Sequence, residues 1–203
     1  MGVGATTLTR RLNEVMGWTV AYFEAEIDKS PFLARFYQMQ NRWAFHNQMF
    51  YIVECIEDYQ ILIKTLERHQ GVVCLDYMIY ELKVYTKAMK IKGFLQEEEY
   101  SILEKTLNLL KPTLLNPDLL IYLTADINIL IERIEKRGRS CETKIDTDYL
   151  KALQCSFDDF IKSWSKCPII KIDSGTINFL EDDNVVKSIA AQVLDKTSAC
   201  FVE

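Results

Sequence analysis

Three short apolar runs constrain this chain more than any other feature. Gly71-Val-Val-Cys-Leu-Asp76, Asp118-Leu-Leu-Ile-Tyr-Leu123 and Pro168-Ile-Ile-Lys-Ile-Asp173 are of strand length and bounded by turn or charged residues. The first two are apolar at every interior position, a pattern a strand tolerates only when both its faces are covered. A fourth candidate, Thr19-Val-Ala-Tyr-Phe-Glu24, precedes them. Covered strands separated by helical stretches predict an α/β domain with a parallel sheet, joined by right-handed crossovers.

The intervening stretches carry helical periodicity. Thr6–Met16 places Leu8, Leu12 and Val15 on one face and stops at Gly17, and a second helix opens at Pro31. A long run from Arg42 to His69 repeats apolar residues at a period of about 3.6. Further helices are predicted over Met78–Lys90, Gln96–Lys111, Ile127–Arg137, Asp148–Trp164 and Asp182–Lys196. The Glu97–Glu99 run reads as a first helical turn suited to the dipole, and His46 and His69 as surface residues.

Composition narrows the function classes. A chain of 203 residues, 49% apolar and 26% charged, has length for one domain, 1–203, and excludes wholesale disorder. Seven Gly and four Pro are few for a loop-rich all-β fold. A net charge of −5 without a dominant basic patch argues against a nucleic-acid polymer as partner. No apolar run approaches the roughly 18 residues of a membrane span. The six cysteines show no C-x-x-C spacing, and with no signal peptide they read as thiols of a cytoplasmic protein.

Two constellations carry chemistry. Gly2-Val-Gly4-Ala5-Thr6-Thr7-Leu8 opens a helix and looks like the second half of a phosphate-binding loop. In the full pattern, backbone N–H groups cradle phosphates, a Lys reaches the outer ones and a Ser/Thr hydroxyl meets Mg²⁺. Gly2, Gly4, Thr6 and Thr7 fit, whereas the Lys position is Ala5. Arg133, Arg137 and Arg139 end the helix after a parallel strand. Their spacing suits a phosphate clamp and equally a solvated helix end with cations on its negative pole. Ligand sites in such folds gather outside the carboxyl ends of the strands.

In combination these segments resemble the bacterial deoxynucleoside kinases, which include deoxyadenosine and deoxyguanosine kinases. The resemblance spans nearly the whole chain: the Gly-Val-Gly-Ala-Thr-Thr-Leu loop, Ser30-Pro-Phe-Leu-x-x-Phe36-Tyr37, Arg42-Trp43-Ala-Phe45-x-x-Gln48, Leu75-Asp76-x-x-Ile-Tyr80-Glu81, Pro117–Leu123, Arg137-Gly-Arg139 and Ile172-Asp173. It implies a three-layer P-loop kinase-like fold, a parallel sheet flanked by helices, with a lid over about 137–146. It implies ATP and Mg²⁺ as cofactors, a purine deoxynucleoside as substrate, and a role in nucleotide salvage. Tyr37 and Glu142 match the residues that hold the sugar 3′-hydroxyl, and Gln48 matches the amide that reads the base. Arg133, Arg137 and Arg139 match the lid that closes on the transferred phosphoryl, and Thr6 matches the Mg²⁺ ligand.

Departures accompany the matches. Besides Ala5, the Arg expected after Asp76 is Tyr77, an Asp expected six residues after Asp76 is Leu82, and an Arg expected seven after Gln48 is Cys55. The general-base Glu falls at Ala25, flanked by Glu24 and Glu26, so a one-residue loop adjustment assigns the base to either. Relative to the family pattern, the strand leading into the phosphate loop, roughly eight to ten residues with the first Gly, is expected to be absent. The main expectation is ATP-dependent 5′-phosphorylation weakened by Ala5, Tyr77 and Leu82. The alternative is a catalytically silent nucleotide-binding subunit that pairs with an active paralogue. Either way a homodimer or heterodimer through the Arg42–His69 helix is expected.

Overall fold

The structure, a computed structural model, describes residues 1–21, 30–76, 79–142 and 145–198. Helix α1 (Ala5–Met16) begins at Gly4 and ends at Gly17, whose N–H donates to the Asn13 carbonyl at 2.8 Å. Its Leu8 and Leu12 are buried one turn apart, as the periodicity predicts, and face α8 (Asp183–Ser198). Strand β1 (Thr19–Ala21) follows; the rest of the expected strand, including Glu24, lies outside the described residues.

Helix α2 (Leu33–Gln38) starts two residues later than Pro31 suggested, because Ser30 caps the turn by accepting from the Phe32 N–H at 3.3 Å. Met39, at φ −148° and ψ 79°, breaks α2 from the long α3 (Gln40–Arg68). Then come β2 (Val73–Leu75), α4 (Ile79–Ile91) and α5 (Glu97–Leu110). The acidic run at the start of α5 has a defined job: the Glu99 carboxylate accepts the Gln96 backbone N–H at 2.9 Å.

The second half is β3 (Leu120–Thr124), α6 (Ile127–Arg137), a 3₁₀ turn at Ser140–Glu142, α7 (Thr147–Lys162), β4 (Ile169–Asp173) and α8. Helix α6 has the predicted bounds because both ends carry strong local signals. The Asp126 carboxylate accepts the Asn128 N–H at 2.8 Å, and Gly138 leaves the helix at φ 69°.

All strand pairing is parallel, as expected, but it is divided into two ladders. β1 pairs with β2 from Thr19↔Val73 to Ala21↔Leu75, and β3 with β4 from Leu120↔Ile169 to Thr124↔Asp173. Among the described residues no ladder joins the two pairs. β2 and β3 instead line one continuous cavity of about 1590 Å³.

Two cores flank the ladders. Phe36, Ile52, Leu82, Met89, Leu103 and Tyr149 knit α2–α5 to α7, while Leu8, Leu12, Ile170, Ile172, Val186 and Ile189 tie α1 and α8 to β4. Each such side chain contributes about 1.5–3 kcal/mol on burial. These packed cores hold rigid the elements whose ends reach the cavity.

Candidate active site

The cavity exceeds the roughly 300–1,000 Å³ of an ordinary ligand pocket. It is lined by Tyr37 and Gln48, by Glu142, Arg137 and Arg139, and by the Gly2–Thr7 loop; the start of the loop lies close to the first group, since the Tyr37 phenol donates to Met1 Sδ at 3.9 Å.

The loop is shaped by two glycines. Gly2 and Gly4 sit at φ 71° and 91°, the left-handed region that disfavours a side chain. Space is tight as well: a Cβ on Gly4 would stand 2.9 Å from Phe179 Cζ and displace that ring, and one on Gly2 would crowd the Leu130 carbonyl oxygen at 3.2 Å. The loop runs directly into α1, whose first intrahelical bond is from Leu8 N–H to Gly4 O at 2.9 Å. The N–H groups of Ala5, Thr6 and Thr7 therefore have no partner within the helix, and the positive end of the dipole meets the cavity there. Ala5 adds no cation.

The polar side chains of Glu142 and Gln48 are buried and individually held. Glu142 is 5% exposed, and its Oε2 accepts from Arg137 Nη2 at 2.5 Å. Arg139 Nη1 stands 3.7 Å from the other carboxylate oxygen. A carboxylate this buried needs such partners, since desolvating it unpaired costs several kcal/mol. Tyr37 packs on Phe36 at a ring separation of 5.4 Å. Burial first, then the neighbouring Tyr149 and Glu142, push its phenol well above the ordinary value, so it is a neutral O–H donor throughout the physiological range. Burial likewise pushes Tyr51 up to about 12 and raises Tyr85.

Gln48 is 2% exposed and lines the cavity. Its Nε2 donates to the Leu82 carbonyl at 2.8 Å and to Thr86 Oγ1 at 3.0 Å, both on α4. The base-reading candidate is thus braced by the helix behind it.

Arg133 is placed differently from its two companions. Nη1 donates to Ser174 Oγ at 3.0 Å and Nη2 to the Ser174 carbonyl at 2.7 Å, with Gly2 O at 3.5 Å from Nη1. Ser174 continues β4, its N–H donating to Thr124 O at 2.8 Å. Arg133 therefore ties α6, the turn after β4 and the start of the glycine loop together, rather than standing free at the phosphate end.

Glu24 and Glu26, the two base candidates, lie outside the described residues, as does Tyr77. Thr6 and Thr7 line the cavity at the first turn of α1. The structure adds Lys136, Tyr51 and Tyr85 to the lining. Lys136 was legible in principle, since it stands one turn from Arg133 on the same helix. The histidines are not the surface residues expected. His69 Nε2 lies 3.0 Å from Thr19 Oγ1, and His46 is set among the rings of Phe32, Trp43 and Phe45. No described helix is long and apolar enough to cross a membrane.

Comparison with known proteins agrees with this geometry. The deoxynucleoside kinase family profile matches residues 1–198. The chain is 29% identical over 196 residues to a deoxyadenosine/deoxycytidine kinase of Bacillus subtilis (strain 168), covering 95% of this chain and 88% of that protein. It is 28% identical over 197 residues to the deoxyguanosine kinase of the same organism, covering 95% and 92%. The fold superposes on that of deoxyadenosine kinase from M. mycoides with bound dCTP at a TM-score of 0.80 and 20% identity, over 96% of this chain and 95% of that one.

Proposed function

The chain belongs to the deoxynucleoside kinase family, and from that premise we propose that it transfers the terminal phosphoryl of ATP to the 5′-hydroxyl of a purine deoxynucleoside. The observation that carries the reading is one cavity lined both by Tyr37, Gln48 and Glu142 and by the Gly2–Thr7 loop. A nucleoside bound between Gln48 and the Tyr37–Glu142 pair directs its 5′-carbon toward the cations that follow α6. The relatives' names support a deoxynucleoside substrate: they name deoxyadenosine, deoxycytidine or deoxyguanosine, two purines and one pyrimidine.

In this reading Glu142 accepts the sugar 3′-hydroxyl proton and the neutral Tyr37 phenol donates to the same oxygen. Arg137 and Arg139 neutralise charge that develops on the transferred group, the principal task of a protein in phosphoryl transfer. The α1 N–H groups hold the nucleotide phosphates. Glu24 or Glu26 supplies the carboxylate that takes the 5′-hydroxyl proton.

The donor set fits Mg²⁺ brought in on nucleotide phosphates. Such an ion needs only one or two protein oxygens. Thr6 offers one beside the loop, and no cluster of three or more His, Cys, Asp or Glu residues suited to a metal occurs among the described residues. Bound there, the ion would supply charge neutralisation at the phosphates. A dimer through α3 belongs to the same reading; that helix leaves Val53, Ile61 and Ile63 exposed.

The test pairs a coupled turnover assay with calorimetric titration of deoxyadenosine and deoxyguanosine. Binding is expected together with ATP-dependent turnover below the roughly 1–100 s⁻¹ of ordinary kinases, because Ala5 and Tyr77 remove two cations. Binding without detectable turnover would overturn the phosphoryl-transfer reading in favour of a silent subunit. No nucleoside binding at millimolar concentration would overturn the site itself.

A further inference from the structure

The register of the two ladders fixes which backbone groups they leave over. In a parallel pair a strand bonds its neighbour through the N–H and C=O of alternate residues, and the intervening residues point to its other edge. The Thr19 N–H donates to the Val72 carbonyl at 3.1 Å, so Val72 and Cys74 face β1 while Val73 and Leu75 face away from it. The Leu120 N–H donates to the Pro168 carbonyl at 3.0 Å, and the Ser174 N–H to the Thr124 carbonyl at 2.8 Å. Leu120, Tyr122 and Thr124 therefore face β4, while Ile121 and Leu123 face away from it. No backbone bond from a described residue reaches Val73, Leu75, Ile121 or Leu123 on these outer edges.

All four residues line the one cavity, which is larger than an ordinary ligand pocket. Its walls at this level are apolar on both faces. Val72, Cys74 and Ile121 pack against the cluster that holds Leu8 and Leu12 of α1, and Val73 and Leu75 pack against Leu62 of α3. Even so, Val73, Leu75 and Ile121 are only half-buried. Open strand edges in native proteins are paired, covered or guarded by charge, and unpaired N–H and C=O groups among apolar walls are costly. A small polar ligand cannot satisfy two rows of backbone groups. An extended apolar segment can, because its N–H and C=O groups alternate between the two edges and its side chains alternate between the α1 and α3 faces. The strand-length apolar runs of the sequence are already placed in β1–β4, so that segment is none of them.

We propose that the cleft between β2 and β3 is a strand-acceptor site, which takes an extended apolar segment of a partner polypeptide and pairs it with both open edges. Seated there, the segment joins the two two-stranded ladders into one sheet. Main-chain bonds to Val73 and Leu75 on one side and to Ile121 and Leu123 on the other supply affinity, and the Leu8, Leu12 and Leu62 side chains select an apolar sequence. The inference concerns the sheet and does not depend on the nucleoside reading.

The probe is a synthetic peptide of strand length, about six residues of valine and isoleucine with a lysine added at each end. Amide hydrogen exchange of the full chain, followed by NMR, reads the edges one by one. Without peptide, the amides of Val73, Leu75, Ile121 and Leu123 should exchange faster than those of Cys74 and Tyr122, which the ladders already pair. Saturation with peptide should slow the four by about tenfold or more and bring them to the level of the paired ones. Two further peptides, N-methylated at one or the other of two consecutive central residues, each lose one donor, toward opposite edges. Both should bind about tenfold or more weakly than the parent in calorimetric titration. Weakening of only one would show pairing with a single edge and overturn the proposal. Weakening of neither would show an apolar groove without strand pairing and overturn it too. At about 100-fold above its Kd the parent peptide should raise Tm by about 5–10 °C. No binding at millimolar concentration overturns the proposal, as does sedimentation showing that the peptide splits a dimer, since a second copy would then fill the cleft. A deoxyadenosine titration alongside separates the failures: nucleoside binding without peptide binding leaves the proposed function standing.

Discussion

In the proposed reading, the nucleoside end and the phosphate end of the cavity are built from different materials. At the nucleoside end, side chains do the positioning. Glu142 is gripped by Arg137, Gln48 is braced on Leu82 and Thr86, and the Tyr37 phenol stays protonated by burial. At the phosphate end, backbone does it: two left-handed glycines and the open first turn of α1. The cations are thin there, because position 5 is Ala and Arg133 is committed to Ser174. A backbone cradle suffices to bind phosphates in the ground state. Rate enhancement depends on charge aimed at the transition state. On the proposed reading, that contrast predicts a protein better equipped to hold its ligands than to turn them over.

The largest effect should come from restoring charge to the poorer end. Ala5→Lys alone is expected to change kcat/KM by less than about tenfold, as is Tyr77→Arg alone, since each leaves the other cation missing. Together they should raise it by about 10²–10³, the range that one well-placed electrostatic group commands. A double-mutant cycle on kcat/KM measures the coupling. Additive free energies would mean that the two positions do not act on one transition state, and the phosphate end would then be weak for another reason.

Much of the frame was legible because local chemistry set it. Asp126 and Gly138 bracket α6, and the apolar runs at Leu120 and Ile169 pair in parallel as expected, although most of their residues stay half-buried or exposed rather than covered on both faces. The Gly2–Gly4 loop was recognisable from its likeness to the second half of a phosphate-binding loop, and the positive φ of both glycines came only with the structure. What stayed hidden is tertiary. The Arg133 guanidinium finds Ser174 across 41 residues of chain, and the Gln48 amide finds Thr86 across 38. No periodicity encodes either contact. The even split between clamp and solvated helix end for Arg133, Arg137 and Arg139 could not be resolved for the same reason. Arg133, half-buried at the cavity wall, is held in a structural tie, while Arg137 and Arg139 turn to Glu142.

A second, smaller effect probes the better-equipped end. Glu142→Gln keeps the shape but removes the charge that engages the guanidinium groups of both Arg137 and Arg139. Activity should fall about 10-fold to 10²-fold through loss of the sugar acceptor. The lid cations, released from their partner, should at the same time bind phosphate more readily and lower the KM for ATP. Steady-state kinetics with each substrate varied in turn separates the two: a raised nucleoside KM with a lowered ATP KM is expected. If the ATP KM rises instead, Glu142 orients the lid rather than competing for it, and the two ends of the cavity are not rivals for the same cations.

The smallest expected effect on catalysis, and the most direct test of where the boundary between the two ends falls, comes from Arg133→Met. Methionine matches much of the arginine stem in volume but donates nothing, so the buried Ser174 carbonyl loses the Nη2 bond at 2.7 Å and Ser174 Oγ loses the Nη1 bond at 3.0 Å. Ser174 is wholly inaccessible to solvent. Leaving such a group unpaired costs about 1–3 kcal/mol, which for a chain of this size lowers Tm by about 2–4 °C per kcal/mol. If Arg133 is the tie the geometry describes, thermal unfolding should register that loss, and the ATP KM at a temperature well below Tm should stay within about twofold. The opposite pattern, an ATP KM raised tenfold or more with Tm unchanged, would return Arg133 to the phosphate end. The cation deficit there would then reduce to Ala5 and Tyr77, and the contrast between the two ends would be one of placement rather than of number.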